Sequence, residues 1–112
     1  MIEHYSFGRV TFGGQVYTKD VIIHGDAVTS WRREKGHRVA KADIKPLVKE
    51  GPAVIVIGAG AYGVVKVPRK TREYIDEHGI RLIVKKTGEA VEEFNQLLAE
   101  KSDVAIAIHL TC

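Results

Sequence analysis

Residues Ala53–Gly63, AVIVIGAGAYG, admit few architectures. Five apolar residues, Ala53 to Ile57, run into a loop with glycines at 58, 60 and 63. The run is too short for a helix and carries no polar residue on either face. A strand covered on both sides has that pattern, so helices must lie on both faces of its sheet. The rest of the chain supplies them.

From residue 52 the rhythm is strand, helix, strand, helix, strand. Pro68 opens a helix over Arg69–His78 and Gly79 closes it, the usual asymmetry of proline at the start and glycine at the end. Ile80–Val84 reads as the next strand. Thr87 is an N-cap candidate, with Glu89 in the first turn, for a helix over Gly88–Lys101. Ala90, Val91, Phe94, Leu97 and Leu98 repeat there at helical spacing. Val104–Leu110, VAIAIHL, is a last strand, apolar on both faces. Connections of this length favour parallel, right-handed crossovers.

The N-terminal part is β-rich. Phe7, Val10 and Phe12 precede a Gly13-Gly14 turn and Val16-Tyr17 follow it, which reads as a hairpin. A second hairpin turns at His24-Gly25-Asp26-Ala27, with Trp31 beyond it packing in the core. Asp43 can cap a short helix from Ile44, with Pro46 in its first turn and Gly51 ending it. The expected fold is therefore a three-layer α/β domain over residues 1–112. N-terminal β-hairpins accompany a largely parallel β-α-β-α-β central sheet.

At 112 residues the chain can bury a core without disulfides. Its one cysteine, Cys112, fits a reducing compartment. The opening MIEHYSFGRV has neither the basic start nor the apolar centre of a signal, and no stretch reads as a membrane span. A soluble cytoplasmic protein is expected. The 17 Lys and Arg exceed the 14 Asp and Glu by only three. Arg32, Arg33, Lys35, Arg38, Lys41, Lys45 and Lys49 nevertheless face only Glu34 and Asp43 locally, and Gly36-His37 breaks that stretch as a turn. This is a solvated basic face or an anion-binding one. A nucleic-acid surface would want more excess charge and interleaved aromatics.

Parallel strands bring their C-terminal ends to one edge, where open α/β sheets bind ligands. Gly58–Gly63, Lys85–Gly88 and His109–Cys112 should meet there. The candidate ligand-binding residues are Gly58, Gly60, Gly63, Lys86, Thr87, Asn95 and His109. Gly58-x-Gly60-x-x-Gly63 matches the dinucleotide fingerprint as a string, yet Val64–Val67 delays the helix that must begin inside that loop. No acidic residue ends the next strand; Lys85 and Lys86 stand there. A tight turn beside close-packed backbone explains the glycines, and a small anion held by loop amides and Lys86 is the ligand reading. Asn95 sits at the margin of its helix's apolar stripe and either ties that helix to a neighbour or meets a ligand. His109 and Cys112 offer two zinc-type ligands, short of a closed site. A thiol enzyme would need His109 or His37 to activate Cys112. No catalytic residue, metal or cofactor is assigned.

GH at 36–37, the strand before GAG at 58–60, TGEAVEEFN at 87–95 and the closing HLTC at 109–112 together resemble one family. It is the small domain of unknown function in adipogenesis-associated domain-containing protein and in a mitochondrial respiratory complex I assembly factor. Bacterial and archaeal stand-alone relatives exist. The resemblance implies a compact three-layer α/β domain and no established reaction or cofactor. It makes Gly58, Gly60, Thr87, Asn95 and His109 the residues of a shared pocket or a shared structural need. Relatives often carry Gly-Thr-Gly where this chain has Gly58-Ala59-Gly60, so the hydroxyl at position 59 is absent. The leading functional expectation is a binding or assembly-type module for a small anionic ligand or a protein partner. An enzyme using Cys112 with a histidine and a basic-face nucleic-acid binder are the alternatives.

Overall fold

The computed structural model describes residues 1–112. Three short strands, β1 (Ile2–Ser6), β2 (Arg9–Phe12) and β3 (Gln15–Tyr17), form an antiparallel sheet in that order. The β2–β3 turn is Gly13-Gly14, both at positive φ (59° and 79°), as a two-residue hairpin with right-handed twist requires. Glu3 accepts hydrogen bonds from both turn amides, at 3.1 and 2.7 Å. Strand β1 is not legible from alternation, because its pairing with β2 shifts register between Ile2 and His4.

The second sheet has five strands in the order β5-β4-β8-β6-β7. They are β4 (Val21–His24), β5 (Ala27–Ser30), β6 (Val54–Ala59), β7 (Arg81–Lys85) and β8 (Val104–His109). Strand β6 pairs parallel with β7 and with β8. Strand β4 pairs antiparallel with β8 and with β5. The central sheet is thus mixed, which corrects the expectation of a largely parallel one. The second hairpin does not stand apart: buried Val21 and Ile23 pair with Ile108 and Ile106. That pairing makes β8, rather than β6, the middle strand.

Both β6 and β8 are buried along their whole length. Their alternate side chains serve two cores, as a strand's period of two dictates. Val54, Val56, Val104, Ile106 and Ile108 face helix α3 (Thr87–Ala99) through Ala90, Val91 and Phe94, with Ile2 and Val10 of the small sheet. Ile55, Ile57, Ala59, Ala105 and Ala107 face α1 (Lys41–Glu50) and α2 (Arg69–Glu77) through Ile44, Leu47, Val48 and Ile75. Helices therefore cover both faces, as the apolar strands demanded. No helix is long and apolar enough to cross a membrane.

Helix boundaries follow local chemistry. Pro68 is the N-cap of α2, and Gly79 follows its end at φ 72°. Helix α1 begins three residues earlier than Asp43 implied, so Pro46 falls in its second turn. Asp43 instead sits at the third helical position, where its carboxylate accepts from the Ala40 amide at 2.7 Å and the Glu34 amide at 3.2 Å. Trp31 is buried and donates its indole N–H to the Asp43 carbonyl at 3.0 Å.

One surface bridge joins three elements. His24 at the end of β4 holds Glu50 through Nδ1 at 2.7 Å and Asp103 through Nε2 at 2.8 Å. Burial disfavours the imidazolium, but hydrogen bonds to Glu50 and Asp103 outweigh it and raise the pKa above 6.5. A raised folded-state pKa contributes stability that is complete below the unfolded value and lost as pH rises through the folded one. Both carboxylates are more than half exposed, which limits the effect to about 1 kcal/mol. Urea denaturation of wild type and His24→Gln should show wild type ahead at pH 6 and the gap closing by pH 9. Parallel profiles across that range would contradict the bridge.

Candidate functional site

The three parallel strand ends do meet on one rim, and internal hydrogen bonds lace it together. Thr87, the first residue of α3, is fully buried. Its hydroxyl accepts from the Gly60 amide at 2.8 Å and donates to the His109 carbonyl at 2.7 Å. Its own amide donates to the Gly60 carbonyl at 3.0 Å. Thr87 is thus a tie between β6 and β8 and not an N-cap, a position Lys86 takes.

The loop after β6 spends its amides in the same way. Ala61 donates to the Thr111 carbonyl, Gly63 to Gly60 and Val64 to Cys112. Four of the donors that an anion cradle could use are thereby engaged within the protein, the Gly60 amide on Thr87 among them. Helix α2 starts only at Arg69, beyond the extended Val65 and Val67, whose side chains pack in the core. The glycines answer to close packing instead. A side chain at Gly58 would meet the Thr87 hydroxyl, and one at Gly60 would overlap the Cys112 backbone. Gly60 and Gly63 also sit at φ 99° and 70°. Gly58 belongs to strand β6 itself, opposite Lys85 and Ile108.

Asn95 lies eight residues along α3 from Thr87, about 12 Å by helical rise. Its amide receives the Ile2 N–H at 2.8 Å and donates to the Ile2 carbonyl at 2.9 Å. It acts as a strand partner for β1 and joins the small sheet to the helix. The rim holds the other end of β1: the Tyr5 hydroxyl and the Gly8 amide, in the turn to β2, both donate to the Leu110 carbonyl.

A charged cluster lies beneath the His109 side of the rim, and sequence reasoning missed two of its members. Asp20 Oδ2 receives Arg33 Nη2 at 2.9 Å and lies 2.7 Å from His109 Nδ1. Asp20 Oδ1 accepts from the Leu110 amide at 2.9 Å. The Arg33 side chain is only 5% exposed and stacks over the Trp31 ring at 4.4 Å. Its Nε and Nη2 also donate to the Gly36 carbonyl, while Nη1 has no partner. Arg33 is therefore withdrawn from the basic stretch of residues 32–49. With His109 Nδ1 donating to Asp20, the lone pair is on Nε2, which accepts from the Thr111 hydroxyl at 3.2 Å. His37 and Cys112 close the cluster, with Sγ 3.8 Å from His37 Nε2.

Across the rim from this cluster is a cleft of about 320 Å³. Lys66, Arg72, Lys85 and Lys86 contribute to its wall with Tyr62 and Gly63, and no carboxylate does. Of the residues proposed from sequence, Gly63 and Lys86 line it. Gly58, Gly60, Thr87, Asn95 and His109 do not line it.

Residues 2–109 match the family described as proteins of unknown function, DUF498/DUF598, and the chain belongs to that family. Its fold recurs in solved structures. A conserved hypothetical protein of Pyrococcus horikoshii superposes with a TM-score of 0.91 at 22% identity, covering 100% of this chain and 99% of the other. The protein MT938 gives 0.85 at 29% identity, with 100% and 98% covered. An outer membrane protein of Bartonella henselae gives 0.86 at 25% identity, with 99% and 94% covered.

Burial disfavours the Asp20 carboxylate, yet hydrogen bonds from His109, the Leu110 amide and Arg33 hold its pKa below the ordinary 3.8. A lowered folded-state pKa contributes stability that is present above the unfolded value and lost as pH falls through the folded one. Asp20→Asn also leaves the Arg33 charge buried without its partner. It should cost about 2–4 kcal/mol at pH 7, with the deficit shrinking at pH 3, by urea denaturation. A deficit equal at both pH values would refute this account of Asp20.

Proposed function

We propose that this protein is a small binding module that holds an anionic ligand in the cleft beside Lys66, Arg72, Lys85 and Lys86. The observation that carries the reading is the wall of that cleft, in which four cations come together without a carboxylate. They derive from three segments: the loop after β6, helix α2 and the end of β7. One partial offset exists, since Lys85 reaches Glu93 at 3.8 Å. Lys66, Arg72 and Lys86 appear in no ion pair with an acidic side chain. The small volume favours phosphate, diphosphate or a di- or tricarboxylate over a dinucleotide. The ligand is held chiefly by side-chain charge, because the amides of Gly60, Ala61, Gly63 and Val64 are engaged within the protein.

The resemblance to a respiratory-complex assembly factor supports an assembly-type role in which such a ligand, or an acidic segment of a partner protein, occupies the cleft. A cytoplasmic setting belongs to the same proposal and is supported by the unpaired cysteine. Thermal denaturation with inorganic phosphate, pyrophosphate or citrate tests it. At about 100 times Kd a ligand bound only by the folded state adds about 2.7 kcal/mol, a readily measured rise in Tm. At least one anion should raise Tm, and the Lys66→Ala/Lys86→Ala double variant should lose most of the rise. No response to any of the three, or an equal response in the variant, would overturn the reading.

A further inference from the structure

We propose that His37, His109 and Cys112 form a binding site for a borderline-soft divalent cation of the Zn²⁺ type. One ligand atom from each residue lies within 4.8 Å of those of the other two. The tightest measured pair is Cys112 Sγ and His37 Nε2, at 3.8 Å. The two imidazoles meet edge to face, with centroids 5.9 Å apart. Tetrahedral zinc with usual bond lengths sets sulfur and nitrogen ligands roughly 3.5 Å apart. Closing onto an ion therefore needs movements of about 1 Å, within reach of the exposed His37 side chain.

These residues do not meet by chance of an unrestrained terminus. The segment after the glycine loop holds two of them by their backbones: the Val64 amide donates to the Cys112 carbonyl and the Lys66 amide to the His37 carbonyl. His109 is the last residue of β8 and is itself buried. Its Nδ1–H is directed to Asp20, which fixes the ring and leaves Nε2 as the nitrogen a metal would take, in exchange for the Thr111 hydroxyl that lies 3.2 Å from it. A carboxylate behind a ligating histidine is the common second layer of zinc sites. Arg33 is the one cation of the cluster, 3.0 Å from Nδ1, and Asp20 lies against both. The Cys112 thiolate would add the charge that favours the ion. Three protein ligands with His37 on the solvent side leave a fourth position for water or an exogenous ligand. The site is separate from the basic cleft and does not rest on it.

The test uses the full chain in a phosphine reductant, with Co²⁺ as a spectroscopic probe and Zn²⁺ as competitor. One Co²⁺ per chain should bind with thiolate-to-cobalt charge-transfer absorption and the intense d–d bands of a four-coordinate ion, and Zn²⁺ should displace it. Cys112→Ser should abolish the charge-transfer absorption. His37→Ala should weaken binding by at least about tenfold, the scale on which zinc sites respond even to loss of outer partners. Both side chains reach solvent, and metal-free melting curves matching wild type check that the variants fold. Absence of charge-transfer absorption in wild type, or binding by both variants equal to wild type, would overturn the proposal.

Discussion

A single hydroxyl, that of Thr87, joins the two central strands where their ladder ends. Strands β6 and β8 pair through Gly58–Ile108 and Ala59–His109, after which the chains must part. The Gly60 N–H and the His109 C=O are left at that fork, buried and without a strand partner. Buried backbone groups of this kind cost about 1–3 kcal/mol each when unmet. Thr87 satisfies both at once, and its backbone amide satisfies the Gly60 carbonyl. The start of α3, the glycine loop and the terminal segment are thereby fixed relative to each other. Everything built on the rim depends on that geometry.

The fixed rim has two chemically different sides. Toward β7 it presents Lys66, Lys85 and Lys86 to a cleft with Arg72. Toward β4 it presents His37 and Cys112 above the Asp20–His109–Arg33 cluster. The extended stretch Val64–Val67 divides them. Its Val65 and Val67 anchor it in the core, and its backbone holds Cys112 and His37 on one side. Lys66, from the same stretch, lines the cleft on the other. This explains physically why the segment could not be a helix: it is needed as a strap.

Much of the architecture could be read from the sequence because its signals were local. The continuous apolar runs at 54–59 and 104–109 demanded cover on both faces, and the Gly-Gly turn named its hairpin. Convergence of the segments after β6, β7 and β8 followed from their parallel direction. What escaped was non-local. Nothing near Val21–His24 says that it will pair with β8, so the mixed character of the sheet was not visible. Asp20 carried no local signal and Arg33 read as one of the basic run of residues 32–49, and only the fold puts them beside His109. Close-packed backbone was the expected reason for the glycines, but the atoms that crowd Gly58 and Gly60, those of Thr87 and the Cys112 backbone, come from segments far away in sequence. Asn95 drew notice as a polar residue at the margin of an apolar stripe, which is what a buried tie and a ligand share.

The central claim is that the Thr87 hydroxyl holds the rim closed. Amide hydrogen exchange and urea denaturation of Thr87→Val, which keeps the shape and removes the hydroxyl, test it most directly. The variant should lose about 2–4 kcal/mol, since two buried groups lose their partner, and protection should fall first at Gly60 and Ala61. Stability within about 0.5 kcal/mol of wild type, the range of an inconsequential surface change, with those amides still protected, would contradict it.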